Sequence, residues 1–277
     1  MGARFYKMSG TGNDFIIFNN WDGQMVEHPG ELAKRLCPRG KAVGADGLLY
    51  IERPDPGDAV DFKWRFHNAD GSEAEMCGNA SRCVSRLALD LGLCRPSLSF
   101  RTVAGVVRAE VTGRRVKVEM PRPKDIGAPR EMEVAGRRMS AHSLNTGVPH
   151  AVMFVDDVAN VDVVGLGRAI RYHQAFRPAG TNANFAQVIG PGAVRLRTYE
   201  RGVEDETLAC GTGAVATALA SHLAGWTNSP TKVTVRSGED LIIHFGPNPE
   251  RQDPWPGPVY MEGDTTLVYT GELQGEV

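Results

Sequence analysis

Apolar residues recur along this chain with two periods, and the change from one to the other marks out its elements. Ala80, Cys83, Val84, Leu87, Ala88 and Leu91 fall at i, i+3, i+4, i+7, i+8 and i+11, one face of a helix that Gly92 closes. From Gly213 to Ala220 the residues are small or apolar on nearly every face, which predicts a helix buried all round. Elsewhere the period is two. Phe62, Trp64 and Phe66 alternate with polar neighbours over Asp61–His67, as in a half-buried strand. Val107, Ala109 and Val111 pair with Val116, Val118 and Met120 across a Thr112-Gly113 turn.

Filling in the rest predicts strands at Arg4–Met8 and Phe15–Asn19 around a loop Ser9–Asp14, a short helix Glu31–Leu36, a loop Pro38–Gly47 and a strand Leu48–Glu52. Pro121-Arg122-Pro123 breaks the pattern and reads as a linker. Beyond it the scheme repeats, with strands Ala151–Val155 and Asn184–Ile189, a helix near Val164–Tyr172 between them, and a strand Val194–Glu200. An acidic loop then leads into the buried helix, and strands follow at Val233–Arg236, Leu241–Phe245 and Leu267–Thr270. Prolines 247, 249, 254, 256 and 258 mark a loop, after which the chain returns to its first domain. The expected domains are 1–121 with 262–277, and 122–261.

Each of the two central helices opens on a cysteine followed by glycine, Cys77-Gly78-Asn79 and Cys210-Gly211-Thr212-Gly213. The cysteines stand 210 − 77 = 133 positions apart, close to half of the 277 residues, so the chain reads as two related halves. The first N–H groups of a helix have no intrahelical partner, and with the helix dipole they favour a thiolate or a bound carboxylate. A cysteine placed there is expected to be reactive, whereas Cys37, Cys83 and Cys94 read as packing. Two thiols on either side of one carbon suit removal of a proton from one face and delivery to the other. Gly78, Asn79, Gly211 and Thr212 would supply donors to the charge that develops on a carboxylate.

Composition narrows the alternatives. The chain is 42% hydrophobic and 23% charged, with 31 basic and 33 acidic residues and a formal net charge of −2. Nothing in that balance draws it to nucleic acid or an anionic membrane, and Arg137-Arg138 reads as solvated surface. No apolar run approaches the ~20 residues of a membrane-spanning helix, and the first residues match neither a secretory signal nor a myristoylation site. An odd number of cysteines, five, without a C-x-x-C pair, points to a reducing cytoplasm. Gly211–Ala216 satisfies G-x-G-x-x-A, but an acidic loop precedes it and no ribose-binding acid follows at the right distance, so a dinucleotide is not expected. The seven histidines are scattered, and neither a metal nor a cofactor is expected.

The two cysteine segments, with Lys7–Phe15 (KMSGTGNDF), Thr146–His150 (TGVPH) and Gly180–Phe185 (GTNANF), resemble the motifs of the diaminopimelate epimerase family from end to end. That resemblance implies an α/β (α+β) fold of two pseudo-symmetric domains, each a curved mixed sheet wrapped around a central helix. It implies cofactor-independent interconversion of LL- and meso-diaminopimelate by Cys77 and Cys210, in lysine and peptidoglycan-precursor synthesis, and a homodimer. His150 and Glu200 match residues thought to tune the thiols, though a strand-end histidine and a surface glutamate remain open readings. Asn13 matches a substrate-holding asparagine, where spacing alone reads as a glycine turn. Asn68, Asn182 and Arg201, with Glu200, look like the site for the substrate's far amino-acid end, Arg201 as a bidentate fork. Gly47 and Val148 depart from members that carry glutamine and asparagine there. A proline or hydroxyproline racemase-type enzyme is the nearest alternative, and a ligand-binding or thiol redox protein a more distant one.

Overall fold

The computed structural model describes residues 2–25, 28–247 and 256–274. It divides into two compact units, Met1–Glu119 with Gly263–Val277, and Met120–Glu262, the first division falling one residue before Pro121.

In the first unit the chain runs β1 (Arg4–Gly10), β2 (Asn13–Asn19), α1 (Pro29–Leu36), β3 (Gly47–Glu52), β4 (Phe62–Asn68), α2 (Gly78–Asp90), β5 (Ser97–Thr102), β6 (Gly105–Thr112) and β7 (Arg115–Met120). Neighbouring strands pair in chain order: antiparallel, parallel, antiparallel, parallel, antiparallel, antiparallel. The last strand of the chain, Thr266–Glu272, pairs antiparallel with the outer side of β1. Every strand from β1 to β7 sends apolar side chains into the core that α2 fills, from Met8, Phe15 and Leu49 to Trp64, Phe100, Val107 and Val118. The sheet therefore curves around that helix. Phe18, Leu48 and Tyr50, on the other face, pack on Leu32, Ala33 and Leu36 of α1.

The second unit contains β8 (Arg130–Val134), β9 (Arg137–Asn145), β10 (Pro149–Phe154), α3 (Val163–Arg171), β11 (Asn182–Gly190), β12 (Ala193–Glu200), β13 (Asp205–Thr207), α4 (Gly211–Leu223), β14 (Thr231–Thr234), β15 (Asp240–Pro247) and β16 (Pro256–Asp264). From β9 through β10, β11, β12, β14 and β15 to β16, the pairings repeat the same series of antiparallel and parallel neighbours. In both units one helix crosses over at the first parallel pair and the central helix at the second. Both central helices are 13 residues long. Both also end alike: Gly92 (φ 72) and Gly225 (φ 78) take the left-handed conformation. The N–H groups of Leu93 and Trp226 then close back onto Ala88 and Ser221, satisfying carbonyls that the helix leaves open. The repeat spans the whole supersecondary pattern, not the cysteine segments alone.

Several expectations are corrected. The loop Ser9–Asp14 shrinks to Thr11-Gly12, because β1 and β2 pair through Gly10 and Asn13. Both turn residues have positive φ (51 and 81), the twist that matches a two-residue hairpin. The β6–β7 turn is Gly113-Arg114, since Thr112 pairs with Arg115. Strands β5, β8, β9, β13 and β16 go beyond the strands expected from the sequence. β13 lies in the expected acidic loop and pairs back onto β12. Part of the expected proline loop is strand: β15 reaches Pro247, and β16 contains Pro256 and Pro258. An antiparallel ladder leaves alternate N–H groups pointing away from the partner, so proline is tolerated there. Pro249 and Pro254 lie outside the described residues. Finally, α2 is not buried on its apolar face alone, because Asn79, Ser81, Arg82 and Ser85 are buried as well.

Candidate functional site

Each unit presents a cysteine at the mouth of its central helix. Cys77 and Cys210 are the N-cap residues of α2 and α4, both extended (φ −143 and −130), and neither side chain caps its helix. No acidic residue occupies either first turn. The N–H groups of Gly78 and Asn79, and those of Gly211 and Thr212, belong to the first turns, where intrahelical acceptors are lacking. All five cysteines are thiols. Burial pushes the Cys37 and Cys94 thiols up to about 11, which fits a packing role and disfavours thiolate chemistry.

In the first unit the hairpin turn brings Asn13 against α2. Asn79 Nδ2 donates to Asn13 Oδ1 at 2.6 Å, and Asn13 Nδ2 donates to Asp46 Oδ2 at 2.9 Å. Beneath them, Asp14 pairs with Lys7 at 2.8 Å and with Arg39 at 2.5 Å, and Arg39 also reaches Asp46 at 2.8 Å. Burial pushes the Asp14 carboxyl up, but hydrogen bonds from Arg39 and Lys7 outweigh it and hold it below its ordinary value. The Lys7–Phe15 segment thus carries its own ion pair and its own link to the helix mouth. Asn68 ends β4 opposite Gly47, exposed, with Nδ2 donating to Ser72 Oγ at 3.0 Å.

Gly47 itself has no room for a side chain, because a Cβ there would lie 2.6 Å from the Phe66 ring and 2.8 Å from the His67 carbonyl oxygen. The departure at this position is therefore built into the packing. We expect Gly47→Gln to lower stability by about 1–3 kcal/mol through overpacking, read as a fall in midpoint by urea titration. An unchanged midpoint would show that Phe66 yields freely.

In the second unit Thr146 Oγ1, fully buried, donates to the Thr212 carbonyl at 2.9 Å and ties the Thr146–His150 segment to the first turn of α4. Val148 adds only its carbonyl, which accepts from the Thr146 N–H at 3.2 Å. Cys210 Sγ lies 3.5 Å from Thr212 Oγ1. Asn184 is the hub. Its Nδ2 faces His150 Nδ1 at 3.0 Å and the Ala151 carbonyl at 3.1 Å, while its Oδ1 accepts from Thr198 Oγ1 at 3.0 Å. With the amide fixed that way, His150 Nδ1 accepts and the ring proton sits on Nε2. Burial holds the His150 pKa down at about 3, so the ring is neutral. Nε2 has no hydrogen-bond partner among the described residues, which leaves a buried N–H donor unspent.

Strand register places Asn182 beside His150. Asn182 Oδ1 accepts from the Arg201 N–H at 2.7 Å, and its Nδ2 donates to the Pro149 carbonyl at 3.1 Å. Arg201 Nη1 donates to the Ala179 carbonyl at 3.1 Å, and no carboxylate among the described residues pairs with this guanidinium. Glu200 Oε2 accepts from Thr207 Oγ1 at 3.0 Å. The second unit thus gathers His150, Asn182, Glu200 and Arg201, and the first gathers Asn13, Asn79 and Cys77. Missed in the sequence were Asn184, Thr146, Asp46 and Arg82. Asn184 and Thr146 lie inside quoted motif segments, but only the fold shows that they face α4.

A cavity of about 630 Å³ in the second unit is lined by His142, Phe154, Leu223 and Trp226. It lies at the C-terminal end of α4, roughly 20 Å along the helix from Cys210, and offers no paired acid and base.

The sequence profile of diaminopimelate epimerase matches residues 5–125 and 142–268. The chain belongs to the diaminopimelate epimerase family. The diaminopimelate epimerase of Aquifex aeolicus is 43% identical, with 99% of this chain and 98% of that one covered. That of Archaeoglobus fulgidus is 42% identical over 99% and 97%. The family fold extends to more distant structures. A Bacillus anthracis phenazine biosynthesis protein of the PhzF family is 13% identical with a TM-score of 0.70, covering 99% of both chains. A probable proline racemase from Agrobacterium radiobacter is 15% identical, also at 0.70, covering 99% of this chain and 93% of that one. Both share the α/β fold; at such identity they speak to the fold alone.

Proposed function

We propose that this chain is a PLP-independent epimerase that interconverts LL- and meso-diaminopimelate, with Cys77 and Cys210 as its acid and base. This places it in lysine and peptidoglycan-precursor biosynthesis. The observation that carries the reading is the repeat itself: in a member of this family, each half ends its sheet crossover in an uncapped cysteine at the mouth of a 13-residue central helix.

The chemistry balances with nothing added. One thiolate takes the α-hydrogen, the electron pair moves into the carboxylate as an enolate, and the other thiol protonates the opposite face. The first cysteine is left as thiol and the second as thiolate, so direction reverses the roles and the pair titrates together. The barrier lies in the charge on the carboxylate. Backbone donors at Gly78, Asn79, Gly211 and Thr212 act there, and losing one such donor typically costs ~3 kcal/mol. His150, being neutral, assists as a hydrogen-bond donor through Nε2; Glu200 supplies the charge that tunes the thiols. Asn13, Asn68, Asn182, Glu200 and Arg201 bind the rest of a substrate with two amino-acid ends.

The reading includes a cytoplasmic location and no cofactor. No described helix is long and apolar enough to cross a membrane. It also includes a homodimer, for which the exposed Leu267 and Val268 on the last strand offer apolar surface. The test is turnover of diaminopimelate and proline side by side. Diaminopimelate alone should be epimerised; conversion of proline alone would replace this reading with the proline racemase type.

A further inference from the structure

The polar side of α2 is buried, and it holds a cation. Arg82, fully buried in the second turn, donates from Nη2 to Thr11 Oγ1 at 2.8 Å and to Asn79 Oδ1 at 2.9 Å. A guanidinium can only donate, so Asn79 must turn its carbonyl oxygen to it. That leaves Asn79 Nδ2 to donate to Asn13 Oδ1 at 2.6 Å, with a longer contact of 3.4 Å to the Thr11 carbonyl. Asn13 in turn presents Nδ2 to Asp46 Oδ2 at 2.9 Å. A carboxylate can only accept. The chain of bonds Arg82–Asn79–Asn13–Asp46 therefore has an obligate donor at one end and an obligate acceptor at the other, and the direction of both amides between them is fixed.

Asp46 is itself anchored. Its Oδ1 accepts from Arg39 Nη2 at 2.8 Å, and its Oδ2 also accepts from the Asp14 N–H at 3.1 Å. Asn13 is left with its second Nδ2 hydrogen, which has no partner among the described residues. That hydrogen is a donor left for a ligand, and its oxygen already accepts from Asn79. A donor held in that direction suits a carboxylate oxygen.

We propose that Arg82, through Asn79, and Asp46 are positioning residues that hold Asn13 with its amide turned for carboxylate recognition beside Cys77. This rests on the reading above that Asn13 meets substrate, and it adds which end of a zwitterion Asn13 takes and what makes it do so. Neither residue touches substrate; each acts through an asparagine.

The test uses Arg82→Gln, which replaces the obligate donor by an amide free to face either way, and Asp46→Asn, which does the same at the other end. Wild type and variants are compared by midpoint of urea unfolding and by KM and kcat for diaminopimelate. Each folded variant should raise KM about 10-fold or more, the loss of one charge-assisted bond, with kcat changed less than about 3-fold. The double variant should be no worse than the poorer single, because one break already frees the relay. An unchanged KM in folded variants, or multiplied effects in the double, would overturn the proposal. A merely structural role would lower the unfolding midpoint and leave KM alone. Side-chain amide exchange by NMR reads the relay without turnover. The Asn79 amide hydrogens should exchange at least about 10-fold faster in either variant, and equal exchange contradicts the relay even if wild type fails to turn over diaminopimelate. Failure of the wild-type assay, with slow exchange intact, would strike the proposed substrate and not the relay.

Discussion

Cys77→Ala is expected to abolish epimerisation in both directions, and Cys210→Ala to do the same. Each direction needs a base on one face and an acid on the other, so no direction runs on one thiol. Loss of a positioned general acid or base typically costs 10²–10⁴-fold, and a fall of at least about 10³-fold is expected here because each direction loses either its base or its acid. The variants should remain folded. Neither cysteine side chain caps its helix, so alanine removes no capping bond, and far-ultraviolet circular dichroism should be unchanged. A folded Cys77→Ala protein with normal turnover would eliminate the two-thiol mechanism.

Acid should destabilise the second unit through His150. Burial holds this ring neutral down to about pH 3 in the folded chain, whereas in the unfolded chain it takes a proton near its ordinary value of about 6.5. Protons therefore bind the unfolded chain more readily. The stability is fully present above pH 6.5 and is lost progressively as pH falls towards 3, on the order of a few kcal/mol. His150→Asn keeps an acceptor for Asn184 Nδ2 but cannot take the proton. It should be less stable than wild type near neutrality, from the space it leaves, and should show a flatter fall in stability between pH 6.5 and 4. Denaturant titrations across that range check it. Equal slopes for both proteins would mean that His150 is solvated or charged in the folded chain.

The parts of the fold legible in the sequence were those where one physical signal dominated. The apolar face of α2 and the all-round burial of α4 need only periodicity, and the cysteines stood out because each begins its helix before a glycine. β5 and β13 were harder. β5 alternates Leu98, Phe100 and Thr102 as buried positions, but over six residues such a pattern competes poorly with the signals beside it. β13 has only three residues and exists because β12 offers it a free edge. β16 was hidden by proline, whose penalty depends on which way each N–H points, and that follows from pairing alone.

In the candidate site, the groups at helix mouths could be read from spacing. The groups that orient them could not. Asp46 reaches Asn13 only because β2 and β3 lie side by side. Asn184 reaches His150 only through the β10–β11 register. Arg82 sits among apolar helix residues, and its burial is decided by Thr11 and Asn79, not by its own neighbours in sequence. Arg201, expected to grip a carboxylate, spends one nitrogen on the Ala179 carbonyl and keeps the rest of its fork for a ligand in the proposed reading.

The measurement that tests the two-base account most directly is hydrogen exchange during turnover in deuterated water, followed from the first few per cent of conversion. A single base that swings between faces can return the hydrogen it removed. Two thiols cannot, since the product's new hydrogen comes from the second thiol, which has already exchanged with solvent. The account predicts early product carrying deuterium at its inverted α-carbon, while recovered substrate stays almost unlabelled. Early product that retains the substrate's own hydrogen, or substrate and product labelled at equal rates, would contradict it.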